Sequence, residues 1–172
     1  MEESYMNVLA SSVIYENPLP QLRSRQSAFP FLCELPGGML LASHTIGEAF
    51  ESVDGTTCLS RSEDGGRTWS APVPMFDKGG FGCPVTDYAK VTLLPDGRLA
   101  ALGYGYLRPD PALPEGNPET GGLLDDVLFW SVSEDGGRSW GPMTEIPCAW
   151  DRHVEASAPL TVLRSGSWVT PI

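Results

Sequence analysis

The chain has 172 residues, with 22 Asp and Glu against 11 Lys and Arg, a formal charge of −11 and no clustering of its basic residues; this balance repels a phosphate backbone and excludes nucleic acid as an expected partner. With 41% hydrophobic residues, five Trp, 19 Gly and 16 Pro, it is too apolar for a disordered linker, and its many turn formers suit short strands, so an all-β domain is expected. No run of about 18 apolar residues occurs, and the first 17 residues carry two early acids where a signal peptide would carry basic ones; no membrane segment is expected, and a cytoplasmic location is.

Val8 to Tyr15 reads as a first, extra strand. Phe31 to Ala42 follows as strand, tight turn at Pro36-Gly37-Gly38, and strand. Further strands are expected near 56 to 61 and 68 to 73, on either side of Ser62-Glu63-Asp64-Gly65-Gly66-Arg67-Thr68-Trp69. This octapeptide returns 71 residues later as Ser133-Glu134-Asp135-Gly136-Gly137-Arg138-Ser139-Trp140, changed only from Thr to Ser at one position. Its chemistry is that of a hairpin turn: Ser and Asp side chains bond the turn's own amides, glycines supply positive φ, and the Trp plugs the hairpin into a core.

The strand-turn-strand unit repeats too, as Lys90 to Ala101 around Leu94-Pro95-Asp96-Gly97, and again as Ala158 to Val169 around Leu163-Arg164-Ser165-Gly166. Strands are therefore expected near 28 to 35, 39 to 43, 56 to 61 and 68 to 73 in a first repeat, and near 88 to 94, 98 to 104, 126 to 132 and 139 to 146 in a second. A third begins at about 156. Cys33, Cys58, Cys83 and Cys148 form no CxxC pair, so neither a zinc site nor a redox motif is encoded, and buried free thiols are expected. The acidic 110 to 126 stretch lacks the spacing of a calcium loop. No metal and no cofactor are expected.

The two octapeptides resemble the Asp box, or BNR repeat, S-x-D-x-G-x-T-W, of sialidase-like β-propellers, where it is structural and joins the outer two strands of a blade. The resemblance implies an all-β, partial β-propeller: about two and a half four-stranded blades of a six-bladed ring, blade one at about 28–73, blade two at about 88–146 and the start of blade three at about 156–172. Such a part-ring leaves apolar faces and strand edges open, so the C-terminal blades of its own propeller are the expected missing partner. Val8 to Tyr15 would complete the last blade of a closed ring.

Alternation of strand direction sorts the loops. The short turns and the boxes share one end, and the long stretches 44 to 55, 71 to 87, 105 to 125 and 147 to 155 share the other, which is the candidate functional face. There Asp54 and Asp125 fall at matching positions before the two boxes, either capping the junction or serving as general acid or base, with Glu48 or Glu51 beside Asp54. Glu51 and Asp54 are the candidates for proton transfer. Asp87, Arg152, His153 and Glu155 are expected to line the cleft; alternation puts His153 and Glu155 on one side of an extended chain and Arg152 on the other.

Sialidases open their first strand with Arg-Ile-Pro, whose arginine clamps the sialic acid carboxylate; Ala28-Phe29-Pro30 stands here, so the clamp is lost and Arg25 is the substitute. The family's second arginine is replaced by Ser43-His44-Thr45. The nucleophilic tyrosine, its glutamate and the remaining arginines belong to later blades, so catalysis by this piece alone is not expected. The candidate loops hold about a dozen acids against a few basic residues, a field that disfavours an anionic ligand and suits a neutral glycan, or a cationic or metal-bridged one. Three readings remain open: part of a glycoside hydrolase-like protein acting on glycans, a non-catalytic carbohydrate-binding propeller, or a protein-interaction scaffold.

Overall fold

The computed structural model describes residues 7, 8, 10–149 and 153–172. The protein is all-β: two four-stranded antiparallel sheets and one two-stranded hairpin. Sheet one is a meander of β1 (Gln26–Leu35), β2 (Met39–Gly47), β3 (Thr56–Ser62) and β4 (Val73–Pro74). Sheet two repeats the order with β5 (Val85–Leu93), β6 (Leu99–Leu107), β7 (Asp126–Ser133) and β8 (Thr144–Glu145). The hairpin pairs β9 (Thr161–Val162) with β10 (Trp168–Val169).

Local sequence explains each reversal. The first turn of each unit closes with a glycine amide on a leucine carbonyl, Gly38 to Leu35, Gly97 to Leu94 and Gly166 to Leu163, with those glycines at φ of 78, 88 and 85°. In the octapeptide turns the Asp64 Oδ1 accepts the amides of Arg67 and Thr68, both at 2.9 Å, and Oδ2 accepts the Thr68 hydroxyl at 2.7 Å. Asp135 does the same with Arg138 and Ser139. Bonds from Thr68 and Ser62 hold Asp64 well below the usual carboxylate range, and bonds from Ser139 and Ser133 do so for Asp135.

The outer strands are shorter and later than expected. Pro72, Pro74 and Pro142 cannot donate to a ladder, so β4 and β8 keep two paired residues each, extended by Met75 and Ile146 amides bonding to Thr57 and Leu128. The expected first strand does not form. The described residues between 7 and 15 join no sheet, and Ser12 instead accepts the Trp69 indole N–H at 3.0 Å and bonds the Gly66 carbonyl.

Sheet one packs on sheet two through a core of Leu41, Leu59, Phe76, Val91, Leu99 and Phe129. Trp140 plugs into this core, edge-on to Phe76 at 6.1 Å. Trp69 does not; its half-buried ring lies under the N-terminal segment on the other face of sheet one. The two equivalent indoles therefore meet different surroundings, which corrects the expectation that both are core plugs. A second core joins sheet two to the hairpin through Leu94, Leu102, Tyr104, Leu128, Ala156 and Leu160. Gly103 of β6 serves close approach, since a Cβ there would fall on the Tyr88 carbonyl oxygen.

Asp87, expected in the cleft, is wholly buried in the first seam. Its Oδ2 accepts the Thr57 amide at 3.0 Å, and its Oδ1 lies 2.7 Å from Lys78 Nζ, which also donates to the Gly55 and Val85 carbonyls. The Thr45 and Thr57 hydroxyls donate to the Asp87 carbonyl at 3.1 and 2.9 Å. Here a charge pair and its hydrogen bonds fasten one sheet to the next.

Candidate functional site

The long connections β2 to β3, β4 to β5 and β6 to β7 gather at one end, opposite the octapeptide turns. There Arg108, one residue past β6 and 1% exposed, joins them: its Nε donates to Thr86 Oγ1 at 2.8 Å, and its Nη2 donates to the Glu51 carbonyl at 2.9 Å and to Glu115 Oε2 at 2.5 Å. Glu115 is 7% exposed and comes from the middle of the β6–β7 loop. Burial first, then the facing Glu51 carboxylate, push its pKa up to about 7, against the lowering pull of Arg108. The Glu51 carboxylate faces Glu115 closely enough to oppose its ionisation.

Behind the carboxyls runs an aromatic wall. Tyr88 and Tyr104 are cross-strand partners stacked at 5.0 Å, Tyr106 meets Tyr104 edge-on at 6.0 Å, and Phe29 meets Tyr88 at 4.8 Å and Phe50 at 5.2 Å. The Tyr106 hydroxyl donates to Glu155 Oε1 at 2.9 Å, and Tyr104 lies beside the same carboxylate. Burial, then Glu115 and Glu51, hold the Tyr88 phenol in its neutral form. That hydroxyl is buried and has no partner among the described residues, an orphan donor among acids.

Two non-glycine residues among those described have positive φ, Phe29 at 53° and Glu51 at 57°. Both belong to this cluster. Backbone strain held at two points of one site is the signature of a placed side chain rather than of a loose loop. Phe29 reaches the wall because β1 is irregular in register between Ala28 and Phe31.

Lys90 completes the electrostatics. It lies on the tyrosine side of β5 with Nζ 5.6 Å from the Tyr104 ring centroid, and burial lowers its pKa while Glu155 opposes that fall. Arg108 and Lys90 are the cations set among these acids. Among the described residues no three acids, histidines or cysteines are disposed to hold a metal ion. The tyrosines are 1 to 3% exposed and belong to the core, so what the cluster can offer a ligand is a protonated carboxyl as donor, a carboxylate as acceptor and the exposed Phe50 ring in front of them.

The expected site residues separate into groups. Glu51 and Glu155 come together here. Asp54 and Arg25 meet outside the cluster as an ion pair; Asp54 also accepts Ser52 Oγ at 2.6 Å and the Glu48 amide at 3.0 Å. Burial raises the Asp54 pKa, but the bonds from Ser52, Glu48 and Arg25 outweigh it and lower it overall, so Asp54 is held ionised and Arg25 is neutralised. His153 lies 3.4 Å from Asp126, whose Oδ2 accepts the Val154 amide. Arg152 lies outside the described residues. His44 is buried between the Ser27 and Ser60 hydroxyls and is kept neutral by that burial. Tyr88 was expected, beside Asp87, to begin its strand toward the axis end; Arg108, Glu115, Tyr104 and Tyr106 escaped the sequence reading, although Tyr104 and Tyr106, two apart on one strand face at the entry to a long loop, carried a legible signal.

No family model matches the chain, and no curated protein matches it. Solved structures do resemble it. One, a protein of unknown function from Dyadobacter fermentans DSM 18053, superposes with a TM-score of 0.62 at 19% identity, over 90% of this chain and 47% of its own. Another, the Hadza microbial sialidase Hz136, gives a TM-score of 0.53 at 18% identity, over 69% of this chain and 25% of its own. The chain spans less than half the length of each, and what it shares with them is an all-β fold.

Proposed function

We propose that the chain is part of a sialidase-like propeller of the Asp-box kind whose loop-bearing end takes a glycan, and that the Glu51–Glu115 pair serves proton transfer at a glycosidic bond. The observation that carries this reading is the buried Glu115 carboxyl, its pKa pushed up to about 7 by burial and by Glu51. Glycosidic cleavage needs a carboxyl that stays protonated near neutrality to give its proton to the leaving oxygen, and burial beside Glu51 supplies that in Glu115. The fold likeness to a sialidase supports the choice of a sugar ligand. The charge balance supports a neutral sugar over a sialoside, because Arg25 is already engaged by Asp54 and cannot also clamp a carboxylate.

A second reading, a carbohydrate-binding propeller without catalysis, draws on that same ion pair: Asp54, one of the two acids expected to move protons, is locked in its loop. Turnover and binding of matched neutral and sialylated aryl glycosides separate the two. On the first reading Glu115→Gln and Glu51→Gln each lower turnover by about 100-fold or more while ligand still binds. Binding without turnover selects the second reading, and binding of neither class of glycoside overturns both.

A further inference from the structure

Glu51 stands exposed in the β2–β3 loop at φ 57°, a conformation that a residue with a side chain keeps only where its surroundings fix it. The loop belongs to sheet one, yet what fixes it comes from sheet two. Three consecutive loop carbonyls are engaged. Arg108 Nη2 donates to the Glu51 carbonyl at 2.9 Å, and the Thr86 hydroxyl lies 3.2 Å from the Ser52 carbonyl and 3.4 Å from that of Val53. Arg108 Nε donates to the same Thr86 oxygen at 2.8 Å, which leaves the hydroxyl proton to point at the loop. At the far end of the loop, a Cβ on Gly55 would fall 2.6 Å from Thr86 Cγ2, and the Gly55 carbonyl accepts the Asp87 amide at 3.4 Å.

Arg108 is therefore connected to Glu115 twice. One connection is direct, from Nη2 to Oε2 at 2.5 Å. The other runs through Thr86 and the loop backbone to Glu51, whose carboxylate faces Glu115. Their effects on Glu115 oppose each other, because the guanidinium favours the anion and the facing carboxylate disfavours it. Arg108 and Thr86 are both buried, so water does not compete for their bonds.

We propose that Arg108 and Thr86 are positioning residues for Glu115: together they clamp residues 51–53 so that the Glu51 carboxylate is held against the Glu115 carboxyl. The clamp rests on the glycan reading only for what Glu115 does with its proton. The other titratable groups that act with Glu115 are Glu155, ahead of the hairpin, and Tyr88 of β5; no variant below removes them.

The test follows the Glu115 side-chain carboxyl carbon through a pH titration of the whole chain. Thr86→Val keeps the shape and loses the hydroxyl; by freeing Glu51 it should lower the Glu115 pKa by about half a unit or more. Thr86→Ser keeps the hydroxyl and should stay within about 0.2 of wild type. Arg108→Lys keeps the charge on a single nitrogen that cannot reach Thr86, Glu51 and Glu115 together, and should lower the Glu115 pKa as Thr86→Val does. In a Glu51→Gln background neither Thr86→Val nor Arg108→Lys should move it further by more than about 0.2. A fall of equal size in that background, no fall in either, or a rise overturns the clamp. With neutral aryl glycosides, Thr86→Val should cut kcat about tenfold with KM within about threefold, and should move the alkaline limb of the pH profile down with the pKa. Titrations as expected, with no glycoside turned over by wild type, leave the clamp standing and remove proton transfer to a sugar from the site.

Discussion

Replacing Glu115 by Gln decides between two effects that oppose each other at one carboxyl. Burial and the adjacent Glu51 favour the protonated form, while the Arg108 guanidinium at 2.5 Å favours the ionised one. If the first pair prevails, the folded pKa is about 7 against an ordinary value of 4.5, and the group contributes up to about 3 kcal/mol of pH-linked stability. The sign follows from proton counting. Between about pH 4.5 and 7 the folded state holds more protons than the unfolded one, so this stability is complete below the lower value and is lost as pH rises through the upper. Gln mimics the protonated form. Denaturant melts at pH 5 should therefore give wild type and Glu115→Gln nearly the same free energy, whereas at pH 8 the variant should be the more stable by about 2 to 3 kcal/mol. Glu51→Gln removes the facing charge and should narrow the wild-type pH window. A Glu115→Gln variant less stable than wild type at pH 8 by about 3 to 5 kcal/mol would mean that Arg108 rules the site, as when one partner of a buried ion pair is deleted, and the raised pKa of Glu115 would be refuted.

Other consequences follow from the packing. Trp140→Ala should cost about 2 to 4 kcal/mol in a denaturant melt and Trp69→Ala about 1 kcal/mol or less, because only the first indole fills the seam between the sheets; equal losses would contradict that asymmetry. Asp87→Ala should cost about 3 to 5 kcal/mol by stranding Lys78 and the Thr57 amide, whereas a loss of glycan binding at unchanged stability would return Asp87 to the cleft. Asp64→Asn and Asp135→Asn should lower the melting temperature at pH 7, and that difference should shrink as pH falls below the ordinary carboxylate range, since protonation removes from wild type what the variants already lack. A difference independent of pH would show that the carboxylate charge is not what organises the turn.

The fold was legible because its repeats are written in residues that act locally. Glycines at fixed offsets, an Asp three and four residues before the amides it accepts, and alternating apolar strands each dictate geometry within a few residues. What stayed hidden depends on register across the chain. Val8 to Tyr15 has a strand-like pattern, yet its described residues pair with neither sheet, and the outer strands shrink where prolines remove donors. Loop length pointed to the end of the sheets where the long connections gather, and Glu51 and Glu155 both lie there. Glu115 was not legible, because nothing in Pro114-Glu115-Gly116 marks a buried acid; its character comes from Arg108, seven residues away, and from Glu51, on the other sheet. Asp54 and Asp87 show the converse. Both sit at conspicuous positions before strands, and the structure uses those positions to lock a loop and a seam.

The central claim is that the Glu51, Glu115 and Glu155 carboxyls with the Tyr88 hydroxyl form one ligand site. It is tested most directly by following the side-chain carboxyl carbon signals of these glutamates, and the Tyr88 ring signals, while a neutral methyl glycoside and its sialylated counterpart are added in turn. The account predicts saturable shifts at all four residues with the neutral sugar, weaker shifts with the sialoside, and loss of both in Glu115→Ala. Saturable shifts confined to Arg25, Asp54 and their loop, or a stronger response to the sialoside, would contradict it.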